Sequence, residues 1–91
     1  MFKGFTVLWL KKAQKQFDDL EKNVRNKITH KIDLLPTHPE QLDIKKLQGY
    51  ADLYRITVAD YRVIFKAISP SKIVIISFIA HRRDVYNKLS V

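Results

Sequence analysis

Arginine is concentrated in the second half of the chain, at positions where it could bind phosphate. Arg55, Arg62, Arg82 and Arg83 all lie after residue 50, whereas nine of the twelve lysines lie before it. The planar guanidinium group can donate two parallel hydrogen bonds to one phosphate, which suits a site that binds phosphate groups. The net charge of +8 also indicates a polyanionic or acidic partner.

The spacing of two of these arginines predicts that they share one face of a β-hairpin. The candidate strands 53–58 and 61–68 are separated by only two residues, which predicts an antiparallel pair. Arg55 and Arg62 then become diagonal neighbours that can hold one phosphate. Two alternatives remain: a three-residue turn, which would separate the pair, or side chains that lie over Ile64 and point into solvent.

The two faces of this hairpin differ in composition. The face without arginine is apolar and aromatic throughout: Tyr54, Ile56, Val58, Tyr61, Val63, Phe65 and Ala67. The other face carries Leu53, Arg55, Thr57, Arg62, Ile64 and Lys66. Because an apolar sheet face must be covered, we expect helices to pack on the first face.

Two helices are predicted before the hairpin. Apolar residues recur at helical spacing over residues 10–20 and again over residues 24–35, with lysines between them. Asn23 is the expected N-cap of the second helix, and Pro36 and Pro39 are expected to end it. The short link between the two apolar stripes predicts an antiparallel helical hairpin.

The remaining elements complete an α+β fold. Strands are predicted over residues 2–8 and 73–79, a loop over residues 40–52, and a short terminal helix over residues 82–89. The order β, α, α, β, β, β, α predicts a small antiparallel sheet with the helical hairpin packed on one face. The length of the chain predicts a single domain over residues 1–91.

Several classes of protein are disfavoured by composition. The chain has no cysteine, and His30, His38 and His81 lack the spacing of a zinc site, so we expect no metal and no cofactor. The apolar N-terminal stretch stops at Lys11-Lys12, without the small-residue cleavage site of a signal peptide. No apolar run approaches the length of a membrane span. We therefore expect a cytoplasmic protein.

Four segments of the chain resemble the RelE/ParE toxin superfamily, and RelE-like mRNA interferases in particular. They are Lys46-Leu47-Gln48-Gly49, Tyr54-Arg55-Ile56, Asp60-Tyr61-Arg62-Val63-Ile64-Phe65 and His81-Arg82-Arg83-Asp84-Val85-Tyr86. The resemblance implies a RelE-like fold and a toxin of a type II toxin–antitoxin system, which enters the ribosomal A site and cleaves mRNA. It also implies a cognate antitoxin, which the charge of +8 predicts to be acidic.

The same resemblance implies which residues form the active site. The basic positions of the family match Arg55, Arg62 and Arg82, and its C-terminal tyrosine matches Tyr86, while Thr57 stands where some members have a second basic residue. RNA cleavage without metal requires stabilisation of the phosphorane charge, which arginines supply. Tyr86 would either stack on a base or act as the general base.

Further residues are candidates for supporting roles. His81 is a candidate acid or base, because histidine exchanges protons near neutral pH, although a histidine that ends an apolar strand is more often structural. The candidate RNA-binding residues are Lys45, Lys46, Thr57, Lys66 and Arg83. Two other functions remain open: a ParE-like gyrase poison, and an RNA-binding module that leaves its RNA intact.

Overall fold

The computed structural model describes residues 1–89, which form an α+β fold around a five-stranded sheet. In chain order the elements are β1 (Thr6–Trp9), α1 (Lys11–Asp18), α2 (Lys22–Leu34), a 3-10 turn (Pro39–Gln41), β2 (Ile44–Lys46), β3 (Leu53–Val58), β4 (Tyr61–Ile68), β5 (Ile73–His81) and α3 (Val85–Leu89). The strand order is β1-β5-β4-β3-β2. The α+β fold class predicted from the sequence is confirmed.

The sheet differs from the prediction at both of its edges. It is mixed, because β1 runs parallel to β5, while every other pair is antiparallel. The sequence predicts a loop over residues 40–52, but this segment contains the last two residues of the 3-10 turn and the edge strand β2, which pairs with β3. A strand of three residues is too short to have a readable alternation, so its partner determines its conformation.

The first residues of one strand and two helices also differ from the prediction. The predicted first strand at residues 2–8 is observed at Thr6–Trp9, because Gly4 at φ 82° turns the chain and Phe2 enters the core. Asn23 does not cap α2: the helix begins at Lys22, with Glu21 at the N-cap and no side-chain capping hydrogen bond. The terminal helix begins at residue 85, after a turn over residues 82–84.

The β3–β4 hairpin has the predicted register. Val58 pairs with Tyr61, Thr57 with Arg62, and Arg55 with Ile64. The apolar face of the hairpin packs beneath α1 and α2, and we call it the helix-covered face. Its core residues include Ala13, Ile28, Ile32, Leu35, Ile56, Val58, Val63, Phe65, Val74, Ile76 and Ile79.

The opposite face, which carries Arg55 and Arg62, is called the arginine face. It has a smaller buried cluster, formed by Leu47, Ile64, Phe78, Ala80 and Val85. Val85 belongs to α3, so this short helix packs on the arginine face through one buried side chain. The arginines thus lie beside a small apolar patch that anchors the end of the described chain.

A β-bulge in β5 determines which residues reach each face. Ile64 pairs with Phe78 and Phe65 with Ile76, so Ser77 is an extra residue in β5. The bulge reverses the alternation of the strand after Ser77. Phe78 consequently points to the arginine face, whereas Ile76, two residues earlier, points to the helix-covered face.

Helix α1 supports the strand at this bulge. Beyond Ile76, β5 has no further pairing with β1, because β1 ends at Trp9 and the chain turns into α1. The backbone N–H of Ile79 donates a hydrogen bond to the Gln16 side-chain oxygen, at 2.8 Å. A helical side chain therefore takes the place of a missing strand partner.

No helix within residues 1–89 has the length and apolar character needed to span a membrane.

Candidate active site

Four of the five predicted catalytic residues line one cavity on the arginine face. The cavity has a volume of about 140 Å³ and is lined by Leu47, Arg55, Arg62, Arg82, Val85 and Tyr86. Its floor is the small apolar cluster, because Leu47 and Val85 belong to both. Three guanidinium-bearing side chains therefore converge on a single small space.

Arg55 is more buried than Arg82: its side chain is 19% exposed, compared with 60% for Arg82. Its Nη1 donates a hydrogen bond to Thr57 Oγ1, and it lies 3.9 Å from Asp43 Oδ2. Thr57, which is also a predicted RNA-binding residue, accepts this hydrogen bond from two positions along the same strand. A hydroxyl group at this position therefore restrains the neighbouring arginine.

Arg62 is oriented by the turn that precedes it. Its Nη1 donates to the carbonyl oxygens of Ala59 and Tyr61, at 3.2 and 3.0 Å. Ala59 has a φ of 52°, the left-handed conformation that non-glycine residues rarely adopt. The two-residue loop that sets the hairpin register thus also binds one of the arginines it brings to this face.

Arg82 directly follows β5, which is the last strand. Its backbone N–H donates to the carbonyl oxygen of Asp60 at 2.7 Å, and its Nε lies 3.7 Å from Asp60 Oδ1. The Arg82 side chain is 60% exposed. The bulge at Ser77 explains its position, because the reversed alternation directs residue 82 to the arginine face.

A larger cavity of about 490 Å³ adjoins the first. Both are lined by Leu47, Arg55 and Tyr86, and the larger one adds Lys45, Lys46, Gln48, Tyr50 and Leu89. Tyr86 is 70% exposed and is therefore available to a ligand in either cavity. The two cavities together form a continuous groove with lysines at one end and arginines at the other.

Sequence reasoning did not identify Gln48 and Tyr50 as groove residues. Gln48 lies in one of the segments that carry the family resemblance, but nothing in the sequence around it indicates that it lines a groove. Tyr50 donates a hydrogen bond to the Leu89 carbonyl oxygen at 2.6 Å, across 39 residues of sequence. No local pattern could have indicated a contact between segments that are so distant in the chain.

His81 lies apart from the arginine cavity. It pairs with Tyr61, and their rings meet edge to face with centroids 5.5 Å apart, which places His81 with the helix-covered side of the sheet. Its Nδ1 accepts a hydrogen bond from the backbone N–H of Arg83 at 3.2 Å. The bulge that directs Arg82 to the arginine face directs its neighbour His81 away from it.

Three of the predicted RNA-binding residues, Thr57, Lys66 and Arg83, also lie outside both groove cavities. Lys66 pairs with Leu53 at the far end of the hairpin and forms an ion pair with Asp52 at 3.6 Å. Arg83 is exposed beside Arg82 but lines neither cavity. Lys45 and Lys46, by contrast, line the larger cavity.

The acidic groups near the arginines lie at the rim of the groove. Asp43 and Asp60 are the carboxylates within 4 Å of Arg55 and Arg82 in the described chain, and their side chains are 59% and 63% exposed. Exposed carboxylates at such distances neutralise little of the positive charge on the arginines. The groove therefore presents positive charge to an anionic ligand, with fixed donors for two or more phosphate oxygens.

Comparison with known proteins identifies the family. A model described as "ParE toxin of type II toxin-antitoxin system, parDE" matches residues 7–86. A curated protein of Methanocaldococcus jannaschii, named "Putative toxin RelE1", is 32% identical over 85 residues, which cover 90% of this chain and 94% of that protein.

Solved structures with the same fold agree with this assignment. The RelB–RelE antitoxin–toxin complex from Methanococcus jannaschii matches with a TM-score of 0.74 at 26% identity, covering 88% of this chain and 95% of the other. The archaeal RelE–RelB complex from Pyrococcus horikoshii OT3 matches with a TM-score of 0.74 at 30% identity, covering 87% and 96%. With a family model that spans most of its length, this chain belongs to the RelE/ParE family of toxins of type II toxin–antitoxin systems.

Proposed function

We propose that this toxin is an endoribonuclease that cleaves mRNA on the ribosome and thereby inhibits translation. The observation that carries the proposal is the convergence of Arg55, Arg62, Arg82 and Tyr86 on one cavity. Solved structures of RelE toxins have the same fold. The resemblance of the sequence to this family implies the same four residues. A surface that only binds another protein does not require three arginines directed at one small space.

The reaction uses the ribose 2′-hydroxyl as its nucleophile. The 2′-oxygen attacks the adjacent phosphorus, the bond to the 5′-oxygen breaks, and the products are a 2′,3′-cyclic phosphate and a free 5′-hydroxyl. Negative charge accumulates on the non-bridging oxygens of the phosphorane, where fixed cationic donors stabilise the transition state more than the substrate. Arg55 and Arg62 supply these donors, because neighbouring backbone and hydroxyl oxygens restrain both side chains.

The other groove residues bind the strand on either side of the scissile phosphate. Arg82 binds the next phosphate and stabilises charge on the departing 5′-oxygen. Tyr86 presents an exposed ring on which a base stacks. The proton of the attacking hydroxyl passes to solvent, to which Tyr86 and Arg82 are open, and water supplies the proton that the departing 5′-oxygen takes up. Lys45 and Lys46 contact phosphates farther along the RNA.

The toxin is further proposed to bind a cognate antitoxin in the cytoplasm, where its ribosomal target lies. The relatives described above were solved as complexes of RelE with RelB. The charge of +8 favours an acidic antitoxin segment. The edge strand β2 adjoins a cavity of about 400 Å³ lined by Met1, Phe2, Pro39, Glu40, Leu42, Ile44, Lys46 and Tyr54, which suits an amphipathic segment laid across the sheet edge.

A gyrase poison is the second candidate function, because the matching family model is described as a ParE toxin. One experiment separates the two. Purified toxin is added to translating ribosomes, to the same mRNA without ribosomes, and to gyrase in a supercoiling assay. We expect new 5′ ends, mapped by primer extension, in the first reaction only. Intact mRNA together with inhibited supercoiling would overturn the nuclease proposal in favour of the gyrase poison.

A further inference from the structure

The β3–β4 turn contacts two of the three arginines of the cavity. The carbonyl oxygens of Ala59 and Tyr61 accept hydrogen bonds from Arg62, and the carbonyl oxygen of Asp60 accepts one from the backbone of Arg82. The Asp60 carboxylate adds the ion pair to Arg82 Nε, at 3.7 Å. The β3–β4 turn therefore contacts both Arg62, near the start of β4, and Arg82, which follows β5.

The point of contact on Arg82 matters for phosphate binding. A guanidinium group has five donors, of which the Nε–H is one and the two Nη groups carry four. Asp60 lies against the Nε edge, so the Nη groups remain available to a ligand in the cavity that Arg82 lines. A carboxylate placed against the Nη groups would instead compete with phosphate.

We propose that Asp60 is a positioning residue that orients Arg82 for phosphate binding in the groove, an inference that rests on the proposed nuclease function. Arg82 needs such a partner because its side chain is 60% exposed and follows the last residue of β5. Arg55 and Arg62 have other restraints, from Thr57 and the loop carbonyls. Asp60 lines neither groove cavity, and it acts through Arg82.

Asp52 provides a matched control on the same hairpin. Its carbonyl oxygen accepts a hydrogen bond from the Ala67 N–H at 3.0 Å, and its carboxylate lies 3.6 Å from Lys66 Nζ. The Asp52 side chain is 46% exposed and that of Asp60 is 63% exposed. Each aspartate thus accepts one backbone hydrogen bond at its carbonyl oxygen and forms one ion pair, and the two lie at opposite ends of the hairpin. Of the two, Asp60 is the one that contacts a residue of the cavity.

The test compares Asp60→Asn with Asp52→Asn in thermal unfolding and in the ribosome cleavage assay, run over a range of ribosome concentrations so that kcat and KM are measured separately. We expect Asp60→Asn to lower kcat roughly two- to fivefold, the effect of losing one exposed ion pair, with KM nearly unchanged. Asp52→Asn should match wild type. In an Arg82→Ala background, Asp60→Asn should cause no further loss, because Asp60 acts only through Arg82.

A second measurement is independent of cleavage. The ¹⁵N relaxation of Arg82 Nε should report a restrained side chain in wild type and Asp52→Asn, and a mobile one in Asp60→Asn. If wild-type toxin does not cleave mRNA, the proposed function fails, and the relaxation alone decides the role of Asp60. Equal relaxation and equal kcat in the two Asn variants would overturn the positioning role. So would an equal loss of kcat in the Arg82→Ala background, since that indicates a structural effect on the turn.

Discussion

The two faces of the β3–β4 hairpin are made by alternate residues of the same strands, yet they have different physical tasks. On the helix-covered face, Val63 and Phe65 are fully buried beneath the helices. On the arginine face, Ile64 lies between them in sequence and anchors a smaller cluster, while Arg55 and Arg62 flank a cavity. One face supplies folding energy and the other supplies charge. Substitutions on the helix-covered face should therefore mainly lower stability, and substitutions of the arginines on the other face should mainly lower activity.

The largest expected effect is on the stability of the helix-covered face. Phe65 is 0% exposed and contacts the rings of Phe2 and Tyr54 at centroid distances of 5.2 and 5.4 Å. Phe65→Ala should lower the free energy of unfolding by about 3–5 kcal/mol, through lost burial and the cavity left behind. The control is Tyr86→Ala on the other face, which should stay within about 0.5 kcal/mol of wild type. Chemical denaturation measures both, and equal losses would contradict the division between the faces.

The next effect is on activity alone. Arg62→Ala removes a donor to the phosphorane, so cleavage on the ribosome should slow by roughly 10²–10³, equivalent to about 2.7–4 kcal/mol. Its free energy of unfolding should fall by no more than about 1 kcal/mol, because only the hydrogen bonds to the Ala59 and Tyr61 carbonyl oxygens are lost. Arg25→Ala is the matched control, because Arg25 lies on α2 and bonds the Asp18 carbonyl oxygen, outside the groove. Cleavage by Arg62→Ala at the wild-type rate would refute the active site proposed here.

A smaller effect is expected for Gln16→Leu, which should lower both stability and activity. Gln16→Leu removes the acceptor for the Ile79 N–H and leaves a buried donor unpaired, which should cost about 1–2 kcal/mol of unfolding free energy. Cleavage should also slow, because the bulge that this bond supports directs Arg82 to the arginine face. Gln14→Leu, on the same helix but bonded to exposed Asp18, serves as the control. Full activity in Gln16→Leu would indicate that the bulge holds without α1.

The smallest effect is expected at Tyr86. Its ring is 70% exposed and lines both cavities, which suits base stacking. Tyr86→Phe keeps the stacking surface, so we expect single-turnover cleavage within about threefold of wild type, whereas Tyr86→Ala should lose the roughly 1–3 kcal/mol of a stacked base. A large loss of rate in Tyr86→Phe would instead identify the phenol as a proton-transferring group.

The sequence was sufficient to predict the hairpin and its register. A two-residue link fixes the pairing of β3 with β4, and strict alternation over residues 54–67 determines which face is apolar. The positions of Arg55 and Arg62 on a common face follow from these two local facts. Their placement in one cavity agrees with this prediction.

Features that depend on distant parts of the chain were not predictable in the same way. The bulge at Ser77 has no local signal, and it decides that Arg82 and not His81 faces the cavity. The pairing of β2 depends on β3, and the Tyr50–Leu89 hydrogen bond joins segments 39 residues apart. These features arise from tertiary contacts, which override the weak preferences of short segments.

The parallel pairing of β1 with β5 has a consequence for the order in which the chain folds. Thr6 lies beside Ile73, so the strand that is synthesised first has no partner until the last strand exists. Pairing across so long a stretch of sequence carries a loop-closure cost, which slows folding relative to local contacts. Arg82 directly follows β5, and its cavity is therefore assembled in the same late step. A ribosome that synthesises this toxin is thus expected to finish nearly the whole chain before the arginine cavity can form.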